Sequence, residues 1–499
     1  DVPLTSITAP VTWSPVAPES IREFAATCYF FGRDLHKANG VPQGLIHSSW
    51  GGSIIQAWTS ATALRELKSY DSTLQLMQLH ARNPAVAESQ WKQSQQRWWE
   101  QHDPNQKRWS SIDADDAGWP AVRPRDFWEK SGIAAFNEFD GIVWFRTSVV
   151  LSDKQANQPA SLSLGPVDDV DETWVNGRRI GSMEGWNVQR DYQIPKGVLR
   201  SGRNVIAVGV LDSGGGGGLW GEPSQRKLQL ASGEAVSLDA EWRYQVSGSL
   251  TQVGAAPSAP WMTAVGTTTL YNAMIAPLAG YTLRGVAWYQ GESNAMEAEE
   301  YARLLPLMMK DWRNAFGNDL PFLVVQLAAF GAAANSPSES PWAELRETQR
   351  RVVNADGNAA LATAVDIGDR FDIHPTNKQE VGRRLALAAR RLVFHENIAA
   401  AGPEAMTARR DGAKVIIGFA NAGGGLQVNG GNRPAGFELC DSSRQCSFVD
   451  AAVEQDRVVL EASAVPGAVK VRYAWAKSPV CNLYNQQQLP ALPFEMSIQ

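Results

Sequence analysis

The sequence predicts an α/β fold that is interrupted by one all-β segment and followed by a second. Short apolar runs without helical spacing, such as 321–327 and 361–365, predict buried parallel strands. Amphipathic helical sequence lies between such runs, and 299–316 carries its apolar side chains on one face. Alternating strand and turn patterns instead fill 109–245 and return after Gly402. This order predicts an α/β domain with two β additions.

The N-terminal part predicts a helix followed by a strand and a glycine-rich loop. Apolar residues at helical spacing and the Gly40 stop predict a helix over 20–39. Residues 41–49 predict a strand that is broken by the glycines at 51 and 52, and polar helical sequence runs from about 61 to 101. This succession is typical of α/β domains.

The remaining elements define the predicted boundaries. Asn176-Gly177 predicts a hairpin turn within the β insert, and the alternating strands and turns of this insert predict a β-sandwich. The α/β pattern resumes at about residue 270, with a strand at 283–289 and helices at 342–354 and 378–394. We therefore predict four segments, which are the first part of the α/β core (1–105), the β-sandwich (106–247), the second part of the core (248–398) and a C-terminal β domain (399–499).

Composition excludes several classes of function. A chain of 499 residues with net charge −6 has no basic field for a nucleic acid partner. There is no apolar run of about 18 residues, so we expect no membrane span and no membrane partner. None of the six histidines pairs at metal-ligand spacing, so we expect neither a metal nor another cofactor.

The cysteines and the N-terminus bear on the compartment. Cys440 and Cys446 are close enough in sequence to close a small loop as a disulfide, which favours an oxidising compartment. The chain opens at Asp1 without an initiator Met or a signal-peptide pattern, so we expect it to be mature, trimmed or partial. We expect a periplasmic or secreted location.

The strongest candidate for chemistry is a loop that follows the predicted strand 361–365. It carries His374 together with Asp366, Asp369 and Asp372. Open α/β sheets place their chemistry at the carboxyl ends of strands. A carboxylate beside His374 would fix its tautomer and make it a general base.

Two other strand-end loops offer further groups. Glycines at a strand end let backbone N–H groups face a ligand, and Gln or Asn adds a side-chain donor, so Gly51, Gln290 and Asn294 are candidates for an oxyanion hole. Trp50 and Glu292 are candidates for substrate binding. A two-carboxylate glycosidase that pairs Glu292 with Asp372 or Asp369 is an alternative reading.

Four long motifs resemble the sialate O-acetylesterase-like family of SGNH hydrolases. They are GLIHSSWGGSIIQAWTS (44–60), WYQGESN (288–294), DIGDRFDIHPTNKQEVGRRLA (366–386) and YAWAKSPVCNLYN (473–485). The resemblance implies a flavodoxin-like three-layer α/β/α core with an inserted galactose-binding-like β-sandwich. It also implies hydrolysis of acetyl esters on a sugar, such as sialic acid or a plant polysaccharide, by a Ser-His-Asp mechanism without metal. His374 corresponds to the family's base, Gly51 or Gly52 to its glycine block, and Gln290 or Asn294 to its polar block.

The chain departs from the family in two places. The family's nucleophile lies in a Gly-Gln-Ser-Asn-Met motif on its first strand, and no Gly-Gln-Ser occurs in these 499 residues. We therefore expect a second polypeptide segment to carry that strand and the serine, with Ser48 and Ser49 as weak substitutes. SGNH hydrolases usually place Asp three residues before His, where this chain has Phe371. Asp372 is our choice for the acidic member, with Asp369 and Asp366 in reserve.

The prediction is thus a carbohydrate O-acetylesterase whose partners are an acetylated carbohydrate and the missing segment. The alternatives are a non-catalytic carbohydrate-binding protein of the same fold and the two-carboxylate glycosidase.

Overall fold

A computed structural model of the chain describes residues 2–7, 11–254, 256, 259–261, 265–317 and 319–499. The chain divides into two compact units, one of Asp1–Ala81 with Pro260–Gln499 and the other of Arg82–Ala259. Among the described residues, no helix combines the length and the apolar character that crossing a bilayer requires.

The helices and strands of the described residues are numbered in chain order. The α-helices are α1 (Pro18–Ile21), α2 (Ala26–Asn39), α3 (Ala61–Leu64), α4 (Asp71–Arg82), α5 (Pro84–His102), α6 (Gln106–Trp109), α7 (Asp153–Ala156), α8 (Leu250–Val253), α9 (Ala298–Phe316), α10 (Pro341–Ala355) and α11 (Lys378–Leu392). The strands are β1 (Ala121–Val122), β2 (Gly141–Leu151), β3 (Ala160–Asp168), β4 (Val170–Val175), β5 (Arg178–Gly181), β6 (Gln189–Ile194), β7 (Gly202–Asp212), β8 (Gly218–Leu219), β9 (Lys227–Leu230), β10 (Ala235–Ser237), β11 (Trp242–Ser249), β12 (Val286–Trp288), β13 (Phe322–Gln326), β14 (Ala359–Thr363), β15 (Glu404–Asp411), β16 (Lys414–Ala420), β17 (Leu426–Val428), β18 (Phe437–Cys440), β19 (Cys446–Phe448), β20 (Ala451–Glu454), β21 (Arg457–Glu461), β22 (Lys470–Tyr473), β23 (Leu483–Asn485) and β24 (Phe494–Ser497).

A parallel sheet of order β12-β13-β14 forms the centre of the first unit. Successive side chains of a strand point to opposite faces, and both faces of β13 are buried. Phe322 and Val324 belong to one apolar cluster with residues of α9 and α10, whereas Leu323 and Val325 belong to another with residues of α2 and α11. The predicted mixed α/β character is confirmed, and the strand predicted at 361–365 is found two residues earlier.

The N-terminal elements differ from the prediction. The helix predicted over 20–39 begins at Ala26, behind the short α1, and ends at Gly40, whose positive φ of 69° and N–H bond to the His36 carbonyl (2.8 Å) stop it. The strand predicted at 41–49 was wrong, because these residues form no strand in the structure. Apolar sequence alone does not make a strand, since the backbone needs a neighbour for its hydrogen bonds. At one edge of the parallel sheet, β12 is paired on one side with β13 and carries no further strand among the described residues.

The second unit is a pair of antiparallel sheets. Their orders are β1-β11-β2-β7-β4-β5 and β10-β9-β3-β6, and an apolar core with Phe145 and Leu162 joins them. Asn176 and Gly177, with φ of 50° and 77°, form the two-residue turn between β4 and β5. The hairpin predicted there is confirmed.

The C-terminal part of the first unit is β structure. Its sheets have the orders β15-β16-β21-β20, β17-β23 and β19-β18-β22-β24, and they share one apolar core. Cys440 and Cys446 are joined as a disulfide between β18 and β19, as their spacing in the sequence suggested.

Candidate active site

The loop between β14 and α11 is anchored by its first acidic residue. Asp366 accepts two bonds from the Arg384 guanidinium, at 2.6 and 2.8 Å, and a third from the Tyr484 hydroxyl at 3.2 Å. The side chains of Asp366 and Arg384 are 7% and 5% exposed. Asp366 therefore anchors the loop, and this buried pairing makes it a poor candidate for the acidic member of the catalytic group.

His374 and Asp372 lie together further along that loop. The Asp372 carboxylate accepts the backbone N–H of His374 at 2.8 Å and lies 3.6 Å from the ring Nδ1. Among the described residues, Asp372 is the carboxylate within 4.0 Å of this ring, whereas Asp369 accepts the backbone N–H of Phe371. The distance of 3.6 Å is longer than a hydrogen bond, and both side chains are exposed, at 83% for His374 and 54% for Asp372. The pair is adjacent and free to adjust to a substrate.

The loop after β12 is tied to the turn at 53–56 by two buried amides. The Gln290 amide donates to the Ser53 carbonyl (2.9 Å) and to Oδ1 of Asn294 (2.8 Å). The same Asn294 oxygen accepts the backbone N–H of Ile55 at 2.9 Å. The Asn294 amide donates in turn to Gln56 at 3.1 Å. In this arrangement Gln290 and Asn294 hold the loop after β12 to the turn at 53–56, and their role as oxyanion donors stays a prediction.

The glycine turn is exposed and carries an exposed indole. Trp50 is 52% exposed, and its carbonyl accepts the Ser53 hydroxyl at 2.8 Å. Gly52 has a φ of +67°, which favours glycine, whereas a Cβ on Gly51 would meet nothing within 4 Å. The backbone conformation therefore favours glycine at position 52, and the space beside position 51 is open to an approaching ligand.

Glu292 lies electrostatically close to the histidine loop. Burial raises the pKa of Glu292, and backbone N–H bonds together with the nearby Lys378 and His374 side chains partly offset that effect. Burial lowers the pKa of Lys378, opposed by the carboxylates of Glu292 and Asp372. The Lys378 ammonium also lies 5.1 Å from the ring centroid of Tyr289. The loop after β12, the histidine loop and the first turn of α11 thus place a carboxylate, an imidazole and an ammonium near one another.

Sequence reasoning missed Lys378. It follows Asn377, whose side chain caps α11 by accepting the backbone N–H of Glu380 at 3.2 Å. The cap places Lys378 on the first turn of the helix, beside the histidine loop. The Asn-Lys pair directly after His-Pro-Thr was the available signal.

A second histidine contacts a serine. The His47 ring Nε2 and the Ser49 hydroxyl are hydrogen-bonded, and the ring stacks edge-on against Phe24 with centroids 5.5 Å apart. Burial lowers the pKa of His47. The sequence analysis treated His47 as structural, and this pair is the one serine–histidine contact that the described residues offer within the glycine loop.

The loop after β12 and the histidine loop lie in a stretch of the chain that is similar to known proteins. Residues 249–391 match the family model described as carbohydrate esterase, sialic acid-specific acetylesterase. The mouse sialate O-acetylesterase is 33% identical over 252 residues, which are 45% of this chain and 46% of the mouse protein. The rat protein is 33% identical over 256 residues, which are 46% of this chain and 47% of the rat protein. The resemblance to the sialate O-acetylesterases is confirmed.

The coverage of these similarities is partial. The chain spans about half the length of the curated sialate O-acetylesterases that it matches. Residues 104–216 match a second family model, the second all-beta domain of beta-galactosidase. A solved carbohydrate acetylesterase from Xanthomonas citri is 27% identical, with a TM-score of 0.44, and the match covers 70% of this chain and 99% of that one. The acetylesterase match at 249–391 contains both the histidine loop and the loop after β12.

Proposed function

We propose that this protein is a carbohydrate O-acetylesterase, a carboxylic ester hydrolase that removes acetyl groups from acetylated sugars such as sialic acid or a plant polysaccharide. The observation that carries the proposal is the pairing of His374 with Asp372 on the loop that follows β14, within the stretch that matches the acetylesterase model. The mechanism needs no cofactor. A periplasmic or secreted location suits an enzyme that meets such carbohydrates and contains a disulfide.

His374 is the general base of this mechanism and Asp372 orients it. A serine Oγ–H gives its proton to His374 as the oxygen attacks the acetyl carbonyl, and the proton then passes to the departing sugar oxygen. Water, deprotonated by the same imidazole, attacks the acetyl-serine, and the imidazolium returns the proton to the serine Oγ as acetate is released. The Asp372 carboxylate stabilises the imidazolium in both halves once the distance from Nδ1 shortens from 3.6 Å.

The nucleophile belongs to a strand that is not among the 499 residues. Two features support this part of the proposal. Residues 41–49 have strand-like sequence but pair with no strand among the described residues, and β12 offers an edge that no described strand covers. A parallel strand between them would take up both sets of backbone groups, complete a three-layer SGNH core and end beside His374. We assign this strand and its Gly-Gln-Ser serine to a second polypeptide segment.

The oxyanion hole would use the backbone N–H of Gly51 with an amide of the loop after β12. Gly51 is exposed and has open space beside it. Gln290 and Asn294 now donate to protein acceptors, so the hole forms only when one of these bonds is exchanged for the substrate oxygen. Trp50, half exposed on the same turn, would cover the sugar, and Glu292 would accept its hydroxyl groups.

One observation favours the glycosidase alternative. Burial raises the pKa of Glu292, as a general acid requires, while Asp372 is exposed. Substrate tests separate the two activities, because an esterase releases acetate and a glycosidase releases reducing sugar.

The test uses the intact gene product, or this chain co-expressed with a segment that carries the Gly-Gln-Ser strand. Acetate release is measured on acetylated xylan and on O-acetylated sialic acid, and reducing sugar is measured in parallel. We expect acetate release that is abolished by His374→Ala and kept by His395→Ala, a matched control on an exposed histidine of the same unit. Release of reducing sugar that depends on Glu292 would replace the esterase by the glycosidase. Glycan binding without either product would favour the non-catalytic alternative.

A further inference from the structure

The C-terminal β part contains a cavity that the proposed ester chemistry does not use. Its volume is about 410 Å³, within the range of small-molecule sites. β18, β19 and β20 contribute to it together with the segment that follows β22, and Cys440 and Cys446 link β18 to β19 beside it. The disulfide fixes the position of one wall.

A buried carboxyl group without a partner lines this cavity. Glu438 is 2% exposed, and its Oε2 has no hydrogen-bond partner among the described residues. It faces Arg472 across the β18–β22 ladder, but the Arg472 guanidinium donates to Glu495 at 2.8 Å and to Glu339 at 3.0 Å. Burial raises the pKa of Glu438 to about 7. A buried polar atom that the protein leaves unsatisfied is costly unless a ligand or water pairs with it.

A buried indole N–H lines the same cavity. Trp475 is 4% exposed, and its Nε1 has no partner within the described part of the chain. The Arg472 guanidinium lies 4.6 Å from the Trp475 ring centroid and so occupies one face of the indole. The indole N–H is therefore the group of Trp475 that can donate a hydrogen bond to a ligand.

The mouth of the cavity is apolar with a charged rim. Phe448 is 45% exposed and Val480 is 60% exposed, and both line the cavity. Phe448 lies opposite Glu438 in the β18–β19 register, so the ring and the carboxyl group share one face of the sheet. Arg433 and Asp450 form an ion pair of 3.3 Å among the other lining residues. An aromatic surface beside a carboxyl acceptor and an indole donor matches a molecule with an apolar face and several hydroxyl groups.

We propose that this cavity is a second carbohydrate site, which binds a pyranose unit of a glycan independently of the ester-cleaving loops. Sugar hydroxyl groups donate to Glu438 and accept from the Trp475 indole, while the C–H face of the ring packs on Phe448. A metal is a weaker fit, although Glu438 and the two cysteine sulfurs lie within 4.8 Å of one another. The sulfurs are joined to each other, so they offer no thiolate ligand.

The experiment is affinity electrophoresis of the whole chain in gels that contain deacetylated xylan, galactan or polysialic acid, none of which carries an acetyl ester. We expect at least one glycan to retard the wild-type protein. Trp475→Phe keeps an aromatic ring, though a smaller one, but removes the N–H, and Glu438→Leu removes the acceptor, so each should weaken binding about tenfold or more. Glu454→Gln, an exposed change on β20, is the matched control and should bind as the wild type does. Thermal unfolding of each variant confirms that it is folded, and Glu438→Gln replaces Glu438→Leu if the latter does not fold.

Two further measurements locate and define the site. His374→Ala should bind the glycan unchanged, because binding does not involve the ester site, and this separates the inference from the proposed function. Wild-type affinity should rise between pH 6 and pH 8 as Glu438 ionises, since a carboxylate is the stronger acceptor, and Glu438→Gln should abolish this rise. The proposal is overturned if none of the three glycans retards the wild type, if Trp475→Phe binds equally well, or if His374→Ala abolishes binding.

Discussion

Arg384 of α11 holds the Asp366 carboxylate through two bonds of 2.6 and 2.8 Å, in a place where both side chains are almost completely buried. The same guanidinium donates to the Thr363 carbonyl at the end of β14 (2.7 Å). This one side chain therefore fixes the start of the loop that carries His374.

Asp366→Asn should destabilise the protein, because the buried Arg384 guanidinium would lose one of its two carboxylate partners and keep Glu380 alone. Breaking a buried pair costs about 3–5 kcal/mol. Urea unfolding measures the change, and Glu461→Gln serves as the control, since its exposed pair with Lys414 should contribute below about 1 kcal/mol. Equal effects of the two substitutions would show that the Asp366 anchor is unimportant.

Asp372→Ala should lower the kcat for acetate release by about 10²–10⁴-fold, because His374 would lose the carboxylate that orients it. Asp369→Ala is the matched control on the same loop, and it should change kcat less than about threefold, since Asp369 accepts the backbone N–H of Phe371 and, among the described residues, is not within 4.0 Å of the His374 ring nitrogens. Steady-state kinetics on acetylated xylan measure both. The reverse order, a mild Asp372 effect with a severe Asp369 effect, would transfer the acidic role to Asp369.

Asn294→Ala should lower stability by about 1–3 kcal/mol, because the Ile55 N–H would remain buried without its acceptor. If Asn294 also serves as an oxyanion donor, kcat should fall about 10²–10³-fold with little change in KM. Comparison with Asn294→Asp, which keeps the acceptor oxygen and removes the amide donor, separates the two roles. Full activity in Asn294→Asp would exclude the donor role.

Ser49→Ala should leave esterase activity within about twofold of the wild type, since the proposed nucleophile is on another segment. Labelling of the active protein with a fluorophosphonate probe, followed by peptide mapping, identifies the reactive serine directly. We expect the label on a serine outside these 499 residues. A label on Ser49 would instead make the His47–Ser49 pair the reactive unit.

Glu438→Gln should flatten the pH dependence of stability between about pH 4.5 and pH 7. The folded protein keeps the Glu438 proton up to about pH 7, whereas the ordinary pKa is 4.5. The unfolded state therefore binds fewer protons in this window. The contribution of the neutral carboxyl group to the free energy of unfolding is complete below pH 4.5 and is lost as the pH rises through 7. A shift of this size corresponds to about 3 kcal/mol. Thermal unfolding at several pH values, with Glu454→Gln as control, measures the difference; identical pH profiles in all three proteins would contradict it.

Local sequence was enough to predict the features whose causes are local. The turn at Asn176-Gly177, the stop at Gly40 and the bond between Cys440 and Cys446 depend on residues that are neighbours in the chain. The same holds for Asp372 beside His374, which lie two residues apart on one loop. The mixed α/β character also followed from short-range apolar patterns.

Tertiary structure decided what depends on distant partners. Residues 41–49 have the sequence pattern of a strand, but a β-strand forms only where a neighbouring strand pairs with its backbone N–H and C=O groups. The local sequence does not reveal whether such a neighbour is present. Asn294 finds its partners at Ile55 and Gln56, more than 200 residues away, and so becomes a link between loops. Glu438 Oε2 has no hydrogen-bond partner among the described residues, because the Arg472 guanidinium donates to Glu495 and Glu339 instead. Hydrogen bonding and burial are set by which groups the fold brings together, and sequence spacing carries that information only over a few residues.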